Sequence, residues 1–230
     1  MLALDFSSRR SKVFDVLCIG AHCDDIEIGC GGTILSLQRR YRNCRVHWLV
    51  LTSGTARRGE AQRSANAFVA EWARGEVRIC DLPDGLLPSH FSDVKAEFES
   101  VKRQIEPSLI LTHHGADLHQ DHRLLSHVTW QTFRDHAIWE YEIPKYDGDL
   151  VTPNMYVPLA AATAARKTRL IMKFFASQLG KSWFKAENLD ALMRLRGLES
   201  RAASGLAEAF HCRKLVFESA SADAGAAKRH

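Results

Sequence analysis

The 230-residue sequence lacks long apolar runs, and none approaches the ~18 residues that a membrane-spanning helix needs. Its N-terminal segment also lacks the order of a secretory signal peptide, because the basic residues follow a short apolar stretch and no long apolar region comes after them. We therefore expect a protein without a transmembrane segment and with a cytoplasmic location.

Paired cysteine motifs and a strong net charge are also missing. The six cysteines form no CxxC pair, which argues against a structural zinc site or a redox motif and favours reduced, mostly buried thiols. The formal charge is +4, from 31 basic and 27 acidic residues. This excess is small and scattered, and the basic run at residues 39–42 suits a solvated helix end. We expect no nucleic-acid partner.

Strand-like apolar runs alternate with segments of helical spacing in the first half of the chain. Strands are predicted at residues 13–20, 44–52, 76–80 and 108–112, and helices at about 31–40, 60–73, 92–104 and from about 122. In the second half of the chain, the pattern predicts an extended segment at 150–158, helices at 163–177 and 186–203, and a strand at 211–218. This order favours one α/β domain over residues 1–230, with a mostly parallel central sheet, helices on both faces and a disordered tail at about 219–230.

A histidine and two carboxylates follow the first predicted strand. They are His22, Asp24 and Asp25, and a glycine-rich segment comes next, Gly29-Cys30-Gly31-Gly32-Thr33. Neutral imidazole and carboxylate are both good zinc ligands. The glycines predict a turn that lets the backbone approach a ligand closely before the helix begins near residue 31.

A second cluster, His119, Asp121 and His122, follows the fourth predicted strand. The two histidines are three residues apart and share one side of a helical turn, and Asp121 is placed to accept a hydrogen bond from a ring N–H. Both clusters belong at the carboxyl edge of one parallel sheet, where such folds bind ligands. Catalytic zinc commonly keeps three protein ligands and an open position, which fits His22, Asp25 and His122.

The two clusters resemble the motifs of the metal-dependent PIG-L/LmbE-type de-N-acetylases. That family typically shows A-H-P-D-D-E, then G-C-G-G-T, then H-P-D-H, and the corresponding segments here are residues 21–26, 29–33 and 119–122. Cys23, Ile26 and Gln120 depart from the pattern, and none of them is a presumed ligand. Looser agreement extends over about residues 13–215 and includes residues 52–54, Arg63, the loop 82–85 and residues 207–210.

The resemblance implies a three-layer Rossmann-like fold and a bound metal. Zn²⁺, or another divalent ion, is then held by His22, Asp25 and His122. Asp24 is the implied general base that takes a proton from the metal-bound water.

The resemblance also implies roles around the substrate. His119, with Asp121 beside it, is expected to stabilise the oxyanion and to protonate the leaving amine, and Arg63 matches a position at which family members contact substrate. The implied activity is that of an N-deacetylase, a hydrolase of linear amides. It removes an N-acetyl group from a small or lipid-linked amino-sugar substrate.

The sequence says less about substrate contacts. Residues 140–150 are rich in aromatic and charged side chains, so Tyr141 is predicted to stack on a sugar face and Lys145 to meet an anionic group, although an ordinary polar loop explains the segment equally well. Two other functions stay open: an amidase for a larger N-acyl group or a thiol-sugar conjugate, and a non-catalytic sugar- or metal-binding module. A homo-oligomer is compatible with the sequence.

Overall fold

The computed structural model describes residues 13–41, 43–70 and 75–216. Its strands are β1 Phe14–Gly20, β2 Cys44–Thr52, β3 Val77–Leu82, β4 Leu109–His113, β5 Ile138–Tyr141, β6 Met155–Pro158 and β7 Ala207–His211. Its α-helices are α1 Asp25–Arg40, α2 Gly54–Val69, α3 Phe91–Gln104, α4 Gln120–Thr132, α5 Ala161–Phe174 and α6 Ala186–Ser200. Short 3-10 helices in the described part of the chain span Leu87–His90 and Ala176–Gln178.

The seven strands form one sheet in the order β3-β2-β1-β4-β5-β7-β6. The first five of these are parallel, while β7 runs antiparallel to both of its neighbours. The strand order changes direction between β1 and β4, which pair directly from Val16↔Leu109 to Cys18↔Leu111. Open α/β sheets bind ligands at such a switch point, and here both histidine clusters follow the two strands that meet there.

Helices cover both faces of the sheet, as the sequence predicts. Alternate residues of β1 enter two separate cores, Val16 and Cys18 on one face and Leu17 and Ile19 on the other. The first core contains apolar residues of α1, α2 and α5, and the second contains those of α3 and α4. The resulting three layers confirm the predicted fold class.

Several element boundaries differ from the prediction. Helix α1 begins at Asp25 and not at residue 31, so the predicted glycine turn is wrong, and α2 begins at Gly54 and not at residue 60. Acidic residues in the first turn of α1 and basic residues in its last turn both suit the helix dipole.

The end of the sheet also differs. Strand β5 was not predicted, and the last strand lies at Ala207–His211 instead of 211–218. Residues 217–218 and the predicted tail at 219–230 lie outside the described residues. Among the described helices, none combines the length and apolar character required to cross a membrane.

Candidate metal centre

Three predicted ligands converge at the switch point of the sheet. The Nδ1 atom of His22 lies 3.1 Å from Nε2 of His122 and 3.3 Å from Oδ2 of Asp25. The third separation, from His122 Nε2 to Asp25 Oδ2, is 3.5 Å. All three residues are buried, and they come from the loop after β1, the start of α1 and the first turn of α4.

These separations fit one small metal ion. Zinc binds imidazole nitrogen and carboxylate oxygen at about 2.0–2.2 Å, so two ligand atoms at tetrahedral angles stand roughly 3.3–3.6 Å apart. The observed distances of 3.1, 3.3 and 3.5 Å lie close to that range. His113 and His119 also bring ring nitrogens within 4.8 Å of members of this set. Histidine and aspartate atoms in this arrangement could hold a metal ion.

Asp117, which the sequence analysis did not select, orients His122. Its Oδ2 lies 2.9 Å from Nδ1 of His122, so that nitrogen donates and Nε2 keeps its lone pair toward the centre. The Lys145 ammonium lies 3.0 Å from the same Oδ2 and also contacts Asp149. Burial alone would raise the pKa of Asp117, but the hydrogen bonds from His122 and Lys145 outweigh it and hold that pKa well below its usual range.

Asp121 supports His22 and not His119. Its Oδ2 lies 3.2 Å from Nε2 of His22, and the two carboxylate oxygens accept backbone amides of Gly85 at 2.8 Å and Leu87 at 3.1 Å. The prediction that Asp121 accepts from a ring N–H is confirmed, but the imidazole is that of His22. Asp121 therefore also ties the loop after β3 to the centre.

Asp24 and Asp25 are adjacent but have different surroundings. Arg57 on α2 donates from Nη2 to Oδ1 of Asp24 at 2.8 Å, while the buried Oδ2 of Asp24 has no hydrogen-bond partner among the described residues. Burial raises the pKa of Asp24 against the opposing charge of Arg57. Burial acts in the same direction on Asp25, but the imidazoles of His122 and His22 outweigh it and hold the pKa of Asp25 well below its usual value.

His119 stands beside the ligands at the N-terminus of α4. Its Nδ1 accepts the Asp121 amide at 3.3 Å, which leaves Nε2 as the ring N–H. The ring centroid lies 4.7 Å from that of His22 and 4.6 Å from that of His122. Burial and the two neighbouring imidazoles lower the pKa of His119, so its neutral form is favoured.

The three predicted substrate contacts lie in different surroundings. Tyr141 is fully buried in β5 and donates to the Ile19 carbonyl at 2.6 Å, so its ring has no face for a sugar. Lys145 is paired with Asp117 and Asp149. Arg63 lies exposed on α2, whereas Arg57 on the same helix contacts Asp24.

Sequence reasoning did not select Arg57 or Asp117, which both lie next to the candidate ligands. Arg57 carries no local pattern that marks it, whereas Asp117 is two residues before His119 and its spacing offered a clue.

The thiol of Cys23 faces the carbonyls of Thr52 and Ser53 at 3.6 and 3.7 Å, and burial raises its pKa to about 12.

Comparison with known proteins identifies the family of the chain. Residues 17–133, about half of the chain, match the GlcNAc-PI de-N-acetylase (PIG-L) family, and this segment contains every residue of the two motifs. The chain belongs to this family. It is thus a member of the PIG-L/LmbE-type deacetylases, a group of hydrolases.

Sequence identity to a curated relative is limited. The uncharacterized deacetylase YaiS of Escherichia coli (strain K12) is 29% identical over 126 residues, which are 50% of this chain and 65% of that protein, so the chain spans less than two thirds of this curated relative.

Solved structures share the fold. The N,N'-diacetylchitobiose deacetylase of Pyrococcus horikoshii has a TM-score of 0.68 at 19% identity and covers 90% of this chain and 86% of its own. GalB, the 4-carboxy-2-hydroxymuconate hydratase of Pseudomonas putida KT2440, has a TM-score of 0.71 at 16% identity and covers 91% and 100%. At these identities the likeness concerns the fold alone.

Proposed function

We propose that this protein is a metal-dependent N-deacetylase that removes the acetyl group from an amino-sugar substrate. The observation that carries the proposal is the set of three ligand atoms, from His22, Asp25 and His122, that lie 3.1–3.5 Å apart beside a separate carboxylate. A binding module needs no such second carboxylate. Zn²⁺ is the cation that best suits two imidazoles and one carboxylate, although the donor set alone also accommodates other divalent ions.

Each neighbouring side chain has a chemical task in this proposal. When bound, the metal supplies Lewis acidity and lowers the pKa of water at the site. Asp24 takes the proton of the attacking water on its unpartnered Oδ2, while Arg57 holds the other oxygen and so fixes the carboxylate. Burial favours the protonated form of Asp24 after transfer, which suits a base that must return the proton.

His119 stabilises the negative charge that develops on the amide oxygen. Its Nε2–H is available because Nδ1 accepts the Asp121 amide. A preorganised N–H donor in a buried site is worth about 10²–10³-fold in rate. A neutral imidazole is too weak an acid to protonate the departing amine, so that amine takes the proton that Asp24 accepted from water, and we assign His119 the oxyanion.

The substrate class rests on the family. Its description names a GlcNAc-containing compound, and a similar fold carries the diacetylchitobiose deacetylase. We therefore propose a small or lipid-linked N-acetylated amino sugar. The six cysteines are all unpaired, which supports the proposed location in the reducing cytoplasm.

The test combines metal analysis with amine release. Zinc-loaded wild-type protein should release amine from N-acetylated sugars, and Asp24→Asn should keep one zinc per chain but lose about 10²–10⁴-fold in turnover. His122→Ala should lose zinc as well as turnover. Wild-type turnover by Asp24→Asn would show that another group is the base.

The same assay separates the open alternatives. A panel of acetyl and longer acyl amides should favour acetyl, and preference for a longer acyl group would instead indicate an amidase of that kind. Tight zinc and sugar binding without amine release from any member of the panel would indicate a non-catalytic binding module.

A further inference from the structure

Two buried side chains contact the backbone in the middle of α1. Glu208 in β7 accepts the amides of Gly32 at 2.8 Å and Thr33 at 2.6 Å. Lys167 in α5 donates to the Ile28 carbonyl at 2.7 Å and to Glu208 at 2.7 Å. In a regular α-helix the amide of Gly32 donates to the carbonyl of Ile28. The ion pair therefore contacts both the N–H donor of Gly32 and the C=O acceptor of Ile28, which form one backbone hydrogen bond in a regular helix.

This arrangement is costly and specific. Lys167 is 3% exposed and Glu208 is 4% exposed, and burying two charges costs more free energy than packing two apolar side chains in the same space. A Cβ on Gly32 would lie 2.9 Å from Oε1 of Glu208, so the glycine is what lets the carboxylate reach the backbone. Simple packing of α1 against β7 requires neither feature.

The contact lies one turn from the metal centre. Asp24 and Asp25 begin α1, and Ile28 donates its amide to the Asp24 carbonyl at 3.0 Å. Side chains inserted into a helical ladder are a known cause of changes in helix direction. Ile28 therefore connects the contact with Lys167 to the turn that bears both carboxylates.

We propose that the Lys167–Glu208 pair is a positioning pair, which sets the orientation of the first turn of α1 and thereby that of Asp24 and Asp25. Its effect on catalysis rests on the proposed function, whereas its effect on the helix does not. The pair links β7 and α5, which lie beyond the family match at residues 17–133, to the motif after β1.

The first test replaces the pair with apolar residues. Lys167→Met/Glu208→Leu should fold, because buried ion pairs are often replaced by apolar residues of similar volume without loss of stability. We expect zinc, titrated into the metal-free variant, to bind about tenfold or more weakly, as is usual when groups behind the ligands are removed. Hydrogen exchange at residues 25–31 should accelerate, and kcat should fall more than KM rises.

A second variant tests the same proposal if the double variant does not fold. Gly32→Ala improves helix propensity by about 1 kcal/mol, yet its Cβ would lie 2.6 Å from Cδ1 of Leu159 and 2.9 Å from Oε1 of Glu208, so both side chains must shift. It should weaken zinc binding and accelerate the same exchange. Thr168→Val is the matched control, since it removes a hydrogen bond from α5 to Asp190 and leaves the contact with α1 in place.

The outcomes are distinct. Wild-type zinc affinity and exchange in the folded variants would overturn the proposal, and so would equal effects in the Thr168→Val control. If wild-type protein neither binds zinc nor releases amine, the proposed function fails. The exchange measurement still decides whether the pair orients α1.

Discussion

At the residue scale, the site separates two adjacent carboxylates by their surroundings. Imidazoles face Asp25, whereas Arg57 faces Asp24 and leaves one of its oxygens without a partner. Their pKa values move in opposite directions, down for Asp25 and up for Asp24, although burial raises both. The motif alone predicts that two neighbouring aspartates have different tasks, but only Arg57, from another helix, shows how the second is held.

Lys145 provides the first prediction at this scale. In Lys145→Met, Asp117 loses the ammonium at 3.0 Å and orients His122 less firmly. We expect zinc affinity to fall about tenfold, with partial recovery in Lys145→Arg, as measured by zinc titration of the metal-free protein. Lys95→Met, which removes a lysine that contacts Thr132, is the control.

The same variant distinguishes the two roles considered for Lys145. If it contacts an anionic group of the substrate, as the sequence suggested, KM should rise while zinc affinity stays at the wild-type value. That pattern would contradict the positioning role that its contacts with Asp117 and Asp149 indicate.

At the element scale, the glycines of α1 serve close packing and not a turn. A Cβ on Gly29 would lie 2.2 Å from the ring of Tyr141, and one on Gly31 would lie 2.7 Å from Phe68. Three glycines within four residues resemble a turn when only the local sequence is considered. The rings that require these glycines come from β5 and α2. Whether the glycines form a turn or lie within a helix therefore depends on tertiary contacts, which the local sequence does not show.

Gly29→Ala should therefore destabilise the protein despite its better helix propensity. The ring of Tyr141 is fully buried and has no room to shift, so we expect a loss of about 1–3 kcal/mol in the free energy of unfolding, measured in urea. Gly59→Ala in α2 is the control, because its Cβ meets only the end of Arg63. Equal stability changes in both variants would refute the packing explanation.

Strand predictions succeed where burial is continuous. The fully buried run of β1 and the apolar run of β2 are recognisable from sequence. Strand β5 is only four residues long and contains the buried Glu140, whose partners are Ser126 and Trp130 on α4 and Arg213 after β7. A charged residue in so short a run gives no strand pattern, so β5 was missed.

His211 at the end of β7 gives a prediction for pH. Burial and the adjacent His114 lower its pKa to about 4, below the ordinary value of about 6.5. Between these values the unfolded chain binds a proton that the folded chain does not, so stability rises with pH through this window. His211→Gln should flatten that rise in urea unfolding of the metal-free protein, and the exposed-residue control His127→Gln should not. An unchanged slope in His211→Gln would contradict this account.

At the scale of the whole molecule, strand order brings the two motifs together. Strands β1 and β4 are neighbours although about 90 residues of chain separate them, and their carboxyl ends carry the two ligand clusters. This general property of parallel sheets made it predictable that the two clusters meet. The supporting residues Arg57 and Lys145 were not predictable in these roles, because they reach the centre from elements with no local pattern.

The fold alone does not fix the chemistry. Both a deacetylase and a hydratase share it at TM-scores of 0.68 and 0.71. Hydrolysis is therefore inferred from the site and from family membership, and it requires above all that His22, Asp25 and His122 hold one metal ion.

X-ray absorption of the protein loaded with one zinc per chain tests this claim most directly. We expect a first shell of nitrogen and oxygen only, at about 2.0–2.2 Å, with the scattering of two imidazoles. One imidazole, or a sulfur ligand at about 2.3 Å from a thiol such as Cys23, would contradict it.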